Sequence, residues 1–151
     1  MRNLLATTLA IASCLALAGC TGSAPDATAA GAWFDEVNEA VATQWPDRLV
    51  AAGGGVVTER DDDGGHITYG LGDAKTVGEF LVACGGGGEA VDVSLGLPDT
   101  THGKITGTVQ CTGDYEALGE LTDPIDGVSS IELSFSTSDS PAGVSLVVLA
   151  P

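Results

Sequence analysis

Three patterns of apolar and polar residues succeed one another along the chain. The first, Leu4 to Ala18, is mostly apolar, with Thr7, Thr8 and Ser13 as its polar residues, and follows a single positive charge at Arg2. As a helix it would span roughly 22 Å, short of a bilayer core about 30 Å thick. The second, Ala32 to Trp45, has helical period. At about 100° per residue, Trp33, Phe34, Val37, Ala40, Val41 and Trp45 share one arc, and Asp35, Glu36, Asn38, Glu39 and Thr43 fall opposite. This spacing predicts an amphipathic helix over 32–45. Asp35 and Glu36 would lie in its first turn, where the helix dipole favours acids, and Pro46 would end it.

From Gly55 onward the period changes to two. GVVTERDDDGGHITYGL (Gly55 to Leu71) predicts a hairpin with Asp63-Gly64-Gly65 at its tip, because Val57, Ile67, Tyr69 and Leu71 occupy alternate positions. Phe80 to Ala83 and the alternating Val91, Val93 and Leu95 predict two strands around the glycines 85–88. Three further alternations follow, at Ile105–Cys111, Ile131–Phe135 and Val144–Val148, with a polar loop containing a short helical turn before the second. Strands separated by Gly, Asp and Pro turns predict a mainly β fold: an antiparallel sandwich or barrel-like domain with one N-terminal amphipathic helix packed on it. The helix would occupy 32–45 and the β-rich part 55–151, in one folded domain, 32–151.

The start of the chain has the form of a secretory signal: a basic residue, a short apolar core, then small residues. Leu17-Ala18-Gly19-Cys20 resembles the lipobox of bacterial lipoproteins. The resemblance implies a signal peptide over 1–19 and a diacylglyceryl group on the Cys20 sulfur, which would become the first residue of the mature chain. Ile11-Ala12-Ser13-Cys14 is a looser match, and cleavage there would leave only a stub of signal core and no polar tether after it. TGSAPDATAAG (21–31) then reads as a flexible tether. Two acyl chains make a stable anchor where one does not, so the expected address is the extracytoplasmic face of the cell membrane.

Composition sharpens this expectation. The sequence of 151 residues carries 21 acidic and 5 basic side chains. Loss of Arg2 with the signal leaves 4 basic residues and a formal charge of −17. Such a chain lacks the clustered Lys and Arg that nucleic acid requires. Besides Cys20, the mature chain holds only Cys84 and Cys111, and a secreted context predicts that they form a disulfide. Phe80-Leu81-Val82-Ala83-Cys84-Gly85, the valine-alternating strand, Val109-Gln110-Cys111 and the two terminal strands are similar to a small two-cysteine β-sandwich domain of exported actinobacterial lipoproteins. The similarity covers roughly 78–151 and implies a disulfide between sandwich strands and no particular activity.

Candidate chemistry is sparse. The triple Asp at 61–63 suggests a weak Ca²⁺ site at Asp61 and Asp63, but the closing Glu of an EF-hand loop falls on Gly70. Glycines 85–88 precede a strand pattern and have no Lys nearby, unlike a phosphate loop. No G-x-S-x-G is present, and His66 and His102 fall in turn-like segments, where they read as surface residues. Of the aromatic residues, Tyr69 and Tyr115 are the two not committed to a helix face or a strand core. The reading that results is a membrane-anchored, non-catalytic envelope module for an unidentified protein or small ligand. The alternatives are a small hydrolase with a dispersed site and an acidic metal-binding or structural lipoprotein.

Overall fold

The computed structural model describes residues 27–58, 64–137 and 140–151. Cys20, the expected signal peptide over 1–19, most of the expected tether, and Asp61 and Asp63 lie outside the described residues. The fold is mainly β, with two antiparallel four-stranded sheets packed face to face and one helix on the N-terminal side. Helix α1 (Ala27–Gln44) is followed by strands β1 (Leu49–Val57), β2 (Gly65–Val77), β3 (Glu79–Gly85) and β4 (Ala90–Gly96). Then come β5 (Lys104–Gln110), the short β6 (Glu116–Ala117), β7 (Ile125–Ser136) and β8 (Ala142–Leu149). One sheet has the order β1-β8-β3-β6 and the other β2-β7-β4-β5.

Period-two patterning explains the core between the sheets. Val91, Val93 and Leu95 of β4 face inward with Ile131, Leu133 and Phe135 of β7. They meet Phe80, Val82 and Cys84 of β3 and Val144, Leu146 and Val148 of β8. Strand β8 is buried at every position, not only at the alternating ones. It is an inner strand of its sheet, and α1 covers its other face, where Val147 and Leu149 cluster with Val41 against Trp45, Leu49, Leu81 and Tyr115. An inner strand covered on both sides loses its polar alternation.

The helix begins at Ala27, five residues before the predicted start, so 27–31 belong to α1 and not to the tether. Asp35 and Glu36 consequently sit in its middle turns, without the dipole benefit expected of them. Ala40, on the predicted apolar arc, is exposed. The helix is seated by glycines. A Cβ at Gly143 would meet the Trp33 ring at 2.7 Å, one at Gly85 would overlap the same indole, and one at Gly54 would meet Phe34 at 2.9 Å. Glycine runs that look like turns in the sequence thus form the floor on which two aromatic side chains lie.

The predicted hairpin over 55–71 does not form. Strand β1 pairs with β8, β2 pairs with β7, and the two lie in opposite sheets. Turn residues and alternation say that the chain reverses; they do not say whether the returning strand pairs with its predecessor or crosses to the facing sheet. The strands around the glycines 85–88 do form and also divide between the sheets. The predicted helical turn before β7 is absent among the described residues; that stretch holds β6 instead, and buried Leu118 donates its backbone N–H to Phe80 at 2.8 Å.

Cys84 and Cys111 are joined in a disulfide with their Cα atoms 4.3 Å apart. It ties β3 of one sheet to the residue just after β5 of the other. With a sequence separation of 27, the closed loop stabilises the fold by about 3–4 kcal/mol in the chain-entropy treatment.

Candidate functional site

Of the concave surfaces among the described residues, two stand out by their side chains: one carries a row of hydroxyls, the other a pair of aromatic rings. The first is the outer face of the sheet β2-β7-β4-β5. Strand register aligns Thr106, Ser94, Ser134 and His66 in one row across four strands. A shallow groove of about 370 Å³ runs beside β4, lined by Asp92, Ser94, Thr106, Thr108, Ser134 and their neighbours. Much of its polar surface is already satisfied internally. Thr108 donates to Asp92 at 2.7 Å, and Ser134 Oγ lies 3.0 Å from His66 Nδ1. Ser94 Oγ is buried without a partner among the described residues. The groove's one aromatic residue, Phe135, belongs to the core.

The His66–Ser134 contact is the nearest approach to a catalytic pair, and sequence alone gave no reason to join these two positions. They meet because His66 of β2 is registered opposite Ser134 of β7. The other ring nitrogen, Nε2, faces Thr68 Oγ1 at 3.5 Å, at the limit of a hydrogen bond. A nucleophilic triad places a carboxylate there, to hold the tautomer and stabilise the imidazolium. The pair also lies on an exposed sheet face with nothing to exclude water. His102 sits in the loop between β4 and β5, where its backbone N–H meets Thr100 Oγ1 at 3.2 Å. Neither histidine lies in an enclosed cleft.

The second surface is a cleft of about 410 Å³ where α1 meets the sheet β1-β8-β3-β6. Val37, Ala40, Gln44 and Trp45 form one wall, Leu81 of β3 the floor, and Gly113, Asp114 and Tyr115 the other wall. The helix delivers Val37, Ala40 and Gln44 to one side because they are three and four residues apart. Cys111 fixes the start of the opposite wall, since the disulfide pins the chain just before it turns through Gly113. Gly113 N–H donates to the Cys84 carbonyl at 2.9 Å, which holds that turn against β3.

Inside the cleft, Trp45 and Tyr115 meet edge to face, with ring centroids 5.1 Å apart and planes at 89°. The Tyr115 hydroxyl lies 2.7 Å from Ser145 Oγ. Ser145 is the only polar residue among the fully buried described positions, so this bond satisfies a hydroxyl that water cannot reach. Burial pushes the Tyr115 phenol up, and the hydrogen bond to Ser145 partly offsets the effect. The ring is thereby held in one orientation. The side chains of Gln44 and Asp114, in contrast, make no hydrogen bond or ion pair among the described residues. An aromatic corner beside a free amide and a free carboxylate can both stack on and hydrogen-bond a small molecule, in a cleft whose exposed lining is more polar than apolar.

Sequence reading isolated Tyr115 as uncommitted but assigned Trp45 wholly to the helix face, and it singled out neither Gln44 nor Asp114. Tyr69, the other uncommitted aromatic, turns inward over Gly53 and packs against the core. No group of three or more His, Cys, Asp or Glu able to hold a metal ion occurs among the described residues. No protein-family model, curated protein or solved structure matches the chain.

Proposed function

We propose that the protein is a lipoprotein, held through Cys20 on the outer face of the cell membrane, whose sandwich binds a ligand without transforming it. The observation that carries the binding reading is the cleft at the helix–sheet seam: two aromatic rings in edge-to-face contact beside Gln44 and Asp114, whose hydrogen-bonding capacity is free. The address rests on the signal-like start and on the likeness of Leu17–Cys20 to a lipobox. The Cys84–Cys111 disulfide supports it, since such bonds persist in oxidising compartments. The excess of acid argues for a partner other than nucleic acid.

Two measurements test this reading. Labelled palmitate fed to the native host is expected to enter the protein and to be lost in Cys20→Ser; an unlabelled chain that still starts at Met1 contradicts the anchor. Affinity capture from envelope extract is expected to retain a ligand that Trp45→Leu releases. Capture unaffected by Trp45→Leu contradicts the cleft as the binding site.

A further inference from the structure

We propose that the cleft takes a small organic ammonium ion, a quaternary or primary amine free in the extracytoplasmic space. The inference rests on the binding reading above and names its ligand class. Three observations converge on positive charge. Trp45 and Tyr115 meet edge to face, and the ring surface not used in that contact can attract a cation through its quadrupole. Asp114 adds a carboxylate to the same cleft with no basic group in ion-pair range among the described residues. Of the four basic side chains after residue 19, Arg48 is held by Glu79 at 3.4 Å and by the Ala150 carbonyl at 3.0 Å. Lys75 and Lys104 belong to the opposite sheet, and Arg60 lies outside the described residues.

The whole molecule reinforces that local preference. A mature charge of −17 concentrates cations near the surface and repels anions. Gln44, at the rim, supplies an amide oxygen able to accept from a primary ammonium. The tie between Tyr115 and Ser145 fixes one ring before the ligand arrives, so less ordering accompanies binding. The groove on the opposite sheet is less suited to this ligand: its one ring, Phe135, is buried in the core, and its Asp92 already accepts from Thr108.

An ammonium group could arrive as a free solute or as a lipid headgroup, and the fold favours the solute. The tether joins α1 at Ala27, whereas Gln44 ends the helix, roughly 25 Å away at 1.5 Å per residue. An anchor at Cys20 would enter the domain at the Ala27 end of α1, the end farther from the Gln44 rim of the cleft.

Calorimetry on the mature chain, purified with its anchor in a non-ionic polyoxyethylene detergent, tests the proposal. Choline chloride, its neutral isostere 3,3-dimethylbutan-1-ol and phosphatidylcholine vesicles are titrated separately. Choline is expected to bind about two- to fivefold more tightly than the isostere, the factor a solvent-exposed cation–π contact provides. Asp114→Asn is expected to weaken choline binding about fivefold and to leave the thermal melt unchanged, because the side chain is exposed and unpaired. Equal binding of choline and its isostere, no choline binding, or an unchanged affinity in Asp114→Asn overturns the cation. The binding reading then stands or falls separately, on whether Trp45→Leu releases captured material. Binding to vesicles that Asp114→Asn weakens, without binding to free choline, overturns the solute.

Discussion

Tyr69 offers a sharp test of the packing between the sheets. Its ring lies over Gly53, where an added Cβ would meet ring carbon at 2.6 Å and the hydroxyl oxygen at 2.8 Å. The hydroxyl is inaccessible to solvent and has no partner among the described residues. A buried hydroxyl left unpaired costs about 1–3 kcal/mol, while the ring itself contributes apolar area that Phe would retain. Tyr69→Phe is therefore expected to stabilise the fold by about 1 kcal/mol, the low end of that range because the residue is only half-buried. Burial also pushes the Tyr69 phenol up to about 12. In the unfolded chain it loses its proton near pH 10, so between about 10 and 12 the folded state binds more protons than the unfolded. Stability must then fall as pH rises through that window. Urea unfolding at pH 7 and across pH 9–12, for wild type and Tyr69→Phe, reads both effects. The variant is expected to be more stable at neutral pH and to lose less stability in alkali, with a residual decline from Tyr115. A loss of 1 kcal/mol or more at pH 7, or an identical alkaline decline, would refute the account of this residue.

Other expectations follow from the same contacts. Replacing both Cys84 and Cys111 by Ala is expected to lower unfolding free energy by about 3–4 kcal/mol, read as a drop in urea midpoint that reductant reproduces in the wild type. Gly143→Ala places a methyl against Trp33 and the Ala30 carbonyl, each 2.7 Å away. It is expected to cost about 1–3 kcal/mol and to red-shift tryptophan emission as the helix lifts; unchanged emission and stability would mean that α1 is not seated there. Tyr115→Phe strands the Ser145 hydroxyl and is expected to cost about 1–2 kcal/mol. Adding Ser145→Ala to that variant should recover part of the loss, and strictly additive changes would show that the two hydroxyls are not coupled.

The period-two and period-3.6 patterns carried the architecture, because each element buries one face and its residues record which. Val91, Val93 and Leu95 point where alternation says they should. Three things were not legible, each for a physical reason. The side of the sandwich to which a reversing strand returns depends on long-range pairing, so β1 and β2 read as a hairpin although they lie in separate sheets. Residues 27–31 are small and polar enough to read as tether, yet they continue the helix because Ala30 finds a buried seat beside Gly86 and Gly143. The glycines at 54, 85 and 143 carry no side-chain pattern, so their role as a floor for Phe34 and Trp33 emerges only from the packing. The candidate site was half legible. Tyr115 stood out by lacking an alternating neighbourhood, but its meeting with Trp45, some seventy residues earlier, is a product of the fold. Gln44 and Asp114 are ordinary surface residues in the sequence and gain interest only from the rings beside them.

The cleft itself is tested most directly by two-dimensional NMR of the nitrogen-labelled protein titrated with tetramethylammonium chloride, against a sodium chloride control. Saturable shifts are expected at the Trp45 indole N–H and at the amides of Gln44, Asp114 and Tyr115, with the outer face of the sheet β2-β7-β4-β5 unmoved. Shifts that match the sodium control, or that gather instead on Asp92, Ser94 and Ser134, would contradict a cation-binding cleft at the helix–sheet seam.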